Sequence, residues 1–268
     1  MKITFLTVVY NNLVDTKDFL ESLSRISKNR LDVDCILIDN SDIPYFYNEI
    51  KRLTGNYSFS KVISPSANLG YFGAFNYYFN LDYTPSDVVI LCNNDLIFDV
   101  NFLENFKNQS YHNDVFVVCP DVVTVDGVHQ NPHVLKPRSS LQRLKLDLYF
   151  SHFYLACLLR YLQTIQNLIV KPIKKEHVKT PCYLHMGIGA CYVLLPAFLS
   201  RFKNLDFPHF LYGEEAYLSR QVHGGGGKLF YDPSLRVVHK ESATLSKLPS
   251  RVTYEYGRAG YYDYRKFY

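Results

Sequence analysis

The hydrophobic pattern along the first part of the chain changes period at regular intervals. Residues 3–9 are an apolar, β-branched run broken only by threonines, which predicts a strand covered on both faces. Asp15 then offers a helix cap, and Phe19, Leu20, Leu23 and Ile26 share one helical face. A helix is therefore predicted over 16–26, ahead of a second strand at 33–38. The alternation continues with a helix near 44–53, a short strand at 61–63, a helix near 71–81 and a strand at 87–92. Strands joined by helices of this length predict a three-layer α/β/α sandwich around a mostly parallel sheet with right-handed crossovers.

In such sheets ligands bind beyond the carboxyl ends of the strands. Those ends are polar here: Tyr10-Asn11-Asn12, Asp39-Asn40-Ser41-Asp42, Asn68-Leu69-Gly70 and Asn93-Asn94-Asp95. Any one of these is equally a turn signal, but four on one rim point to a binding edge. No G-x-G-x-x-G follows the first strand and no Walker loop occurs, which disfavours a dinucleotide dehydrogenase and a P-loop NTPase. Asp95, closing a buried strand, is placed to hold a divalent cation through hard oxygen, and such a cation bridges a diphosphate. Gly224 to Gly227 follows a helix rather than preceding one, so it reads as a C-cap and turn and not as a phosphate loop.

Residues 136–175 have a different character. Lys136, Arg138, Arg143, Lys145, Arg160, Lys171, Lys174 and Lys175 face a single acid, Asp147. Ser139-x-x-Gln142 can form a capping box, and Leu141, Leu144, Leu148, Leu155, Leu158, Leu162, Ile165 and Ile169 recur with three-and-four spacing up to Pro172. This predicts one long helix or a helical hairpin. Its apolar stripe has three open destinations: the α/β core, an anionic membrane surface, or a second copy of the chain as a homodimer.

At 268 residues the chain fits one large domain, and 47% apolar with 20% charged residues excludes wholesale disorder. The net charge of +4 is too weak to argue for nucleic acid, and most of it lies in the basic stretch. The six cysteines form no C-x-x-C pair, so neither a zinc site nor a disulfide framework is expected, and reduced thiols in a cytoplasmic protein are. The N-terminal apolar run is too short for a signal peptide, and no stretch is long enough for a membrane span. Aromatics are abundant, with Tyr 23, Phe 19 and Trp 0. Residues 254–268 hold seven of them among Arg251, Arg258, Arg265 and Lys266. This segment is either a sugar-binding platform or a packed C-terminal helix.

The order of motifs resembles the family 2 glycosyltransferases of the GT-A fold, and most their rhamnosyltransferase-like branch. The resemblance rests on Thr7-Val8-Val9-Tyr10-Asn11, Ile36-Leu37-Ile38-Asp39-Asn40-Ser41, the segment from Asn68-Leu69-Gly70 to Asn76, and Leu91-Cys92-Asn93-Asn94-Asp95. Downstream it continues through Phe210-Leu211-Tyr212-Gly213-Glu214-Glu215, Arg220 and Val237-Val238-His239. It covers roughly 1–125 and 183–245, leaving 136–175 as an insert and 246–268 as an aromatic C-terminal segment. By this resemblance 1–125 is a nucleotide-sugar-binding half and 183–245 an acceptor and catalytic half of a single domain.

The resemblance implies a role for each matching position. Val8 and Tyr10 would flank the nucleotide base, and Asp39 would accept the imide hydrogen of a uracil or thymine. Asn68 and Gly70 would bring backbone close to the donor, and Asn93 and Asn94 would sit at the nucleotide-sugar. Asp95 and His239 would ligate Mn or Mg. Glu215 would be the catalytic base, with Glu214 in support, capping the helix or paired with a cation such as Arg220. Tyr71, Phe72, Phe210 and Tyr212 stand beside these motifs. Two departures are visible: Asn93 replaces the acid many relatives carry at the start of the metal motif, and Glu215 and Tyr217 stand where aspartates are frequent.

The implied activity is inverting transfer of a sugar from a UDP- or dTDP-linked donor to a glycan or lipid-linked saccharide acceptor in cell-surface polysaccharide synthesis. The enzyme would be cytoplasmic or peripheral at the inner face of the cell membrane. The lone acid in Asn93-Asn94-Asp95 keeps a catalytically silent nucleotide-sugar-binding scaffold as an alternative. A sugar nucleotidylyltransferase is disfavoured because no glycine-rich basic loop follows the first strand.

Overall fold

A computed structural model describes residues 1–26, 32–81, 86–169, 177–240 and 250–267, with 167–169 described by backbone alone. Lys171, Pro172, Lys174, Lys175 and Tyr268 of the sequence reading lie outside the described residues.

The first part follows the alternation read from the pattern: β1 (Lys2–Val9), α1 (Leu13–Ile26), β2 (Asp32–Asp39), α2 (Phe46–Thr54), β3 (Ser60–Ile63), α3 (Tyr71–Phe79) and β4 (Val88–Asn93). β1 pairs in parallel with both β2 and β4, and β2 with β3. α1 begins earlier than the apolar spacing indicates because Asn12, not Asp15, caps it: Asn12 Oδ1 accepts the Asp15 amide at 3.1 Å. Asp15 lies inside the first turn, where its carboxylate meets Lys240.

The remainder comprises β5 (Leu96–Phe98), α4 (Phe102–Asn108), β6 (Val115–Thr124), α5 (Ser140–Ser151), α6 (Phe153–Ile169), β7 (Cys182–Leu184), β8 (Cys191–Leu194), α7 (Pro196–Arg201), α8 (Glu214–Gly224), β9 (Lys228–His239) and α9 (Arg251–Tyr264). These extend the sheet to the order β3-β2-β1-β4-β8-β6-β9-β5, with β7 paired to β9. Beyond β4 the sheet is mixed. β8 runs antiparallel to β4 and β6, β5 and β7 run antiparallel to β9, and β6 and β9 are parallel.

Each face of the sheet carries its own core. On one, α1, α2 and α4 bury Phe19, Ile50 and Phe102 against Phe5, Val9 and Val237. Phe98 meets Phe5 and Phe102 edge to face at 5.2 and 4.8 Å. On the other, α3, α7 and α8 bury Phe72, Phe75, Phe198 and Leu218 against Leu6, Leu91, Tyr192 and Leu229. Full burial of one such side chain stabilises the fold by about 1.5–3 kcal/mol, and these two covers make the three layers.

The insert is a hairpin. Ser139 and Gln142 form the capping box at the start of α5, and extended backbone at His152 (φ −153, ψ 136) breaks it from α6. No α5 residue is buried, and among the described side chains of α6 Ala156 is the fully buried one. The hairpin docks on α9: Phe150 stacks on Tyr261 at 4.6 Å, and Asp147 accepts from the Tyr261 hydroxyl at 2.8 Å and Arg265 at 3.1 Å. Leu141, Leu144, Leu148, Leu158 and Leu162 remain exposed. Among the described residues no helix is long and apolar enough to cross a membrane. The C-terminal aromatics form a packed helix, with Tyr254, Tyr261 and Tyr264 buried and Tyr256, Tyr262 and Phe267 half exposed.

Candidate active site

The carboxyl ends of β1, β2 and β4 open into a cleft of about 470 Å³. Val8, Tyr10, Asn68, Gly70, Asn93, Asn94 and Asp95 all line it, as the sequence motifs imply, together with Tyr71 and Phe210. Asn12, Asn40 and Leu211 line it as well and had no assigned role. Asp39 sits behind this wall, 5% exposed, and its Oδ1 accepts the Ser41 amide at 3.0 Å.

Asn40 shapes one side of the cleft. Its Nδ2 donates to the Gly70 carbonyl at 2.7 Å and its Oδ1 accepts the Leu69 amide at 3.3 Å, while the Gly70 amide donates to Asn68 Oδ1 at 3.0 Å. Gly70 has φ 72 and ψ −167, and a Cβ there would lie 1.9 Å from the Phe210 carbonyl oxygen. Only glycine lets the 68–70 turn press against the segment leading to α8. Asn94 is held by Thr16, to whose hydroxyl its Nδ2 donates at 2.8 Å.

At the far end of the cleft, His239 Nε2 lies 3.3 Å from Asp95 Oδ1 and 3.4 Å from Asn93 Nδ2. His239 Nδ1 is 2.9 Å from Gln130 Oε1. An amide oxygen can only accept, so Nδ1 donates to Gln130 and the opposite ring nitrogen, Nε2, is left facing the Asp95 carboxylate. Imidazole, carboxylate and an outer-shell hydrogen bond fixing the tautomer together suit a divalent cation. Gln130 has no motif around it, and nothing in the sequence marks its role.

The acidic pair opens α8. Tyr212 (φ 70) and Gly213 (φ 103) precede it in left-handed backbone, which turns the chain sharply into the helix. Glu214 is 8% exposed and Glu215 partly exposed. Burial, and then the Glu215 charge, push the Glu214 carboxyl up to about 8 against opposing hydrogen bonds from the Glu214 and Tyr212 amides. Burial also raises Glu215, opposed by the Glu215 and Gly189 amides. A Cβ on Gly189 would stand 2.8 Å from Glu215 Oε1, so that carboxylate rests directly on the backbone. The Tyr71 hydroxyl donates to the Gly189 carbonyl at 3.2 Å. Its phenol is held far above its ordinary range, by burial first and then by Cys92, Cys191, Glu214 and Asp95. One ring thus feels both Glu214 and Asp95.

Arg220 does not pair with Glu214. Six residues along a helix is about 600°, which carries Arg220 to another face. There it pairs with Asp206 and lies over the Tyr217 and Phe267 rings at 4.8 and 4.7 Å. Tyr217 is buried, its hydroxyl 3.0 Å from His209 Nε2. Gly225 caps α8, and the Gly227 amide returns to the Val222 carbonyl at 2.9 Å, so the glycine run is the turn it was read as.

No curated protein matches the chain in sequence. Among solved structures it is similar to GalNAc-T7 with UDP, GalNAc and Mn2+, at TM-score 0.60 and 13% identity over 92% of this chain and 46% of that one. It is also similar to the mannosyltransferase PcManGT from Pyrobaculum calidifontis in complex with GDP-Man and Mn2+, at TM-score 0.58 and 11% identity over 91% and 58%. The chain therefore spans about half the length of these structures, and they establish the GT-A type of fold. The sequence profile of Glycosyl transferase family 2 matches residues 4–163. By that match, and with its strand-end motifs gathered in one cleft, the chain belongs to the family 2 glycosyltransferases.

Proposed function

We propose that this chain is an inverting, metal-dependent glycosyltransferase of the rhamnosyltransferase-like branch. It uses a UDP- or dTDP-linked hexose or deoxyhexose and a saccharide or lipid-linked glycan acceptor in cell-surface polysaccharide synthesis. The observation that supports this best is that Asp95, which pairs with His239, and Glu214, which neighbours Glu215, both act on the buried Tyr71 phenol at the carboxyl edge of the sheet. Val8 and Tyr10 flank the base, and the second oxygen of Asp39 accepts an imide hydrogen behind Asn40. Asn68, Gly70, Asn93 and Asn94 border the sugar and ribose. Asp95 and His239 hold Mn or Mg, which when bound neutralises the departing diphosphate.

Glu215 acts as base. Burial raises both carboxyls, and the Glu215 charge pushes Glu214 further up, which supports Glu214 as the member that keeps its proton and Glu215 as the base. Glu215 is also the more exposed of the two. It takes the proton of the acceptor hydroxyl as that oxygen bonds to the anomeric carbon, and the anomeric bond to the diphosphate breaks with its electron pair leaving on the nucleotide. The half-exposed Tyr256, 5.2 Å from Phe210 at the cleft wall, offers a ring to the acceptor. Asn93-Asn94 supplies no second carboxylate, and this favours the catalytically silent scaffold as the competing reading.

Donors are found by the rise in melting temperature of the purified protein with a panel of nucleotide sugars and Mn2+ or Mg2+. Nucleoside diphosphate release with saccharide and lipid-linked acceptors then measures transfer. Donor binding with no transfer to any acceptor supports the scaffold, and no stabilising donor removes both readings.

The exposed leucines of α5 and α6 beside Arg138, Arg143, Lys145 and Arg160 support docking on an anionic membrane at the inner face of the cell membrane. Flotation of the wild type with anionic liposomes, compared with a variant neutralised at these four positions, tests this. Equal flotation removes the membrane reading, and a concentration-dependent dimer in sedimentation without lipid assigns the stripe to a second copy.

A further inference from the structure

Away from the cleft, Asp121 on β6 is 1% exposed, a buried carboxylate placed between two imidazoles. His129 Nδ1 lies 2.7 Å from Asp121 Oδ1, and His177 Nε2 lies 3.5 Å from Oδ2. The two rings are parallel within 2°, with centroids 4.2 Å apart. Among the described residues, these two histidines are the ion-pair partners of Asp121. Two imidazole nitrogens and a carboxylate are ligand types that a divalent cation takes. The fully buried Tyr231 ring faces the same carboxylate, whose charge helps raise its phenol, after burial, above the usual range.

The geometry points to a second divalent-cation site formed by Asp121, His129 and His177, selective for a zinc-class ion. One ligand atom from each residue lies within 4.8 Å of the other two. A tetrahedral ion with bonds near 2 Å sets its ligand atoms roughly 3.3 Å apart; His129 Nδ1 stands 2.7 Å from one Asp121 oxygen and His177 Nε2 3.5 Å from the other. Two nitrogens and one oxygen favour zinc or cobalt over magnesium, whose preference is for oxygen. His129 and His177 are partly exposed, at 17% and 34%, which leaves the fourth position open to water. The site is separate from Asp95 and His239. Thr124, not Asp121, is the register partner of His239, and the three steps along β6 from Asp121 to Thr124 span roughly 10 Å. Its ligands come from β6, from the turn after it, and from the segment that re-enters the sheet at β7 after the α5–α6 hairpin. A bound ion therefore fastens the base of that hairpin to the sheet, whatever the cleft catalyses.

The test is Co2+ titration of chelator-stripped protein, followed by competition with Zn2+ and Mg2+. Apart from any ion at Asp95 and His239, the wild type should bind one equivalent of Co2+ with the strong visible absorption of a four-coordinate site, displaced by Zn2+ and not by equal Mg2+. His129→Gln and His177→Gln should each weaken binding by at least about tenfold, whereas Asp95→Asn should keep the spectrum. No four-coordinate spectrum in the wild type, unchanged affinity in either histidine variant, or loss of the spectrum in Asp95→Asn would each overturn the assignment. Should one histidine variant fail to fold, the wild-type spectrum and the other variant still decide it. None of these readouts depends on transferase activity.

Discussion

Glu214 makes the stability of this fold fall as pH rises, and Glu214→Gln isolates the effect. Unfolded, the carboxyl titrates near 4.5; in the native state it is held at about 8. Well below pH 4.5 both states are protonated and the burial of Glu214 carries no ionic penalty. As pH rises through 4.5 the unfolded chain releases the proton while the native state keeps it, so stability is lost progressively until about pH 8 and is level above. At 1.36 kcal/mol for each pKa unit, the interval amounts to about 5 kcal/mol as an upper bound. For a chain of this size that corresponds to a change in melting temperature on the order of 10 °C. Glutamine keeps the shape and removes the ionisation. Melting temperatures of wild type and variant, measured from pH 5 to 8.5, should lie close at the acid end and diverge in favour of the variant at the alkaline end. Taking the difference cancels the other titrating groups. A gap that stays constant across this range would show that Glu214 ionises freely, and with it would go the assignment of Glu215 as the anionic member of the pair.

Glu215→Gln should lower turnover by about 10²- to 10⁴-fold while leaving donor affinity intact, read as kcat against donor binding; full activity in that variant refutes its role as base. Gly70→Ala should cost about 2–4 kcal/mol, because φ 72 with ψ −167 is glycine territory and the new Cβ meets the Phe210 carbonyl; an unchanged denaturation midpoint contradicts that geometry. Gln130→Ala should weaken Mn2+- or Mg2+-dependent donor binding by about 10- to 100-fold with little change in metal-free stability. Coincident metal titrations for wild type and variant would mean that the hydrogen bond to His239 Nδ1 does not orient the ligand.

The parallel half of the fold was legible because each of its strands is a short apolar run bounded by a polar rim and followed by an amphipathic helix. β8 was not. Cys191 to Leu194 is buried throughout, and such a run has no periodicity to tell its direction or its partners. Asp95 could be read because it closes a hydrophobic strand, whereas His239 was singled out through the family resemblance, and the two lie 3.3 Å apart. Gln130 and Asn40 escaped notice since they act by hydrogen bonds across long sequence separations, on His239 and on the 68–70 turn, which no local pattern encodes. The Asp121–His129–His177 cluster was missed for a related reason. Its ligands are spread over three segments, one of them beyond the hairpin, with none of the close spacing that marks a zinc motif.

The abundance of tyrosine is explained more by its hydroxyls than by its rings. Few of the aromatics reach the cleft, where Tyr10, Tyr71 and Phe210 stand. On α9 the tyrosines solve a specific problem. The last carbonyls of α5 have no partner within their own helix, and the chain breaks at His152 before α6 can supply one. The Tyr254 hydroxyl donates to the Tyr149 carbonyl at 3.2 Å, and the Phe150 carbonyl accepts from Tyr262 at 3.2 Å and from Arg258 at 3.0 Å. Phenylalanine would pack as well but leave those carbonyls unmet, and tryptophan would place its single donor closer to the ring. This docking uses backbone carbonyls, Asp147 and the rings of Tyr149, Phe150 and Phe153, while Leu141, Leu144, Leu148, Leu158 and Leu162 stay exposed beside it. Their sequence is free to serve whatever the hairpin binds, while Tyr261 and Tyr264 on α9 pack in turn against the Tyr217 helix that begins with Glu214 and Glu215.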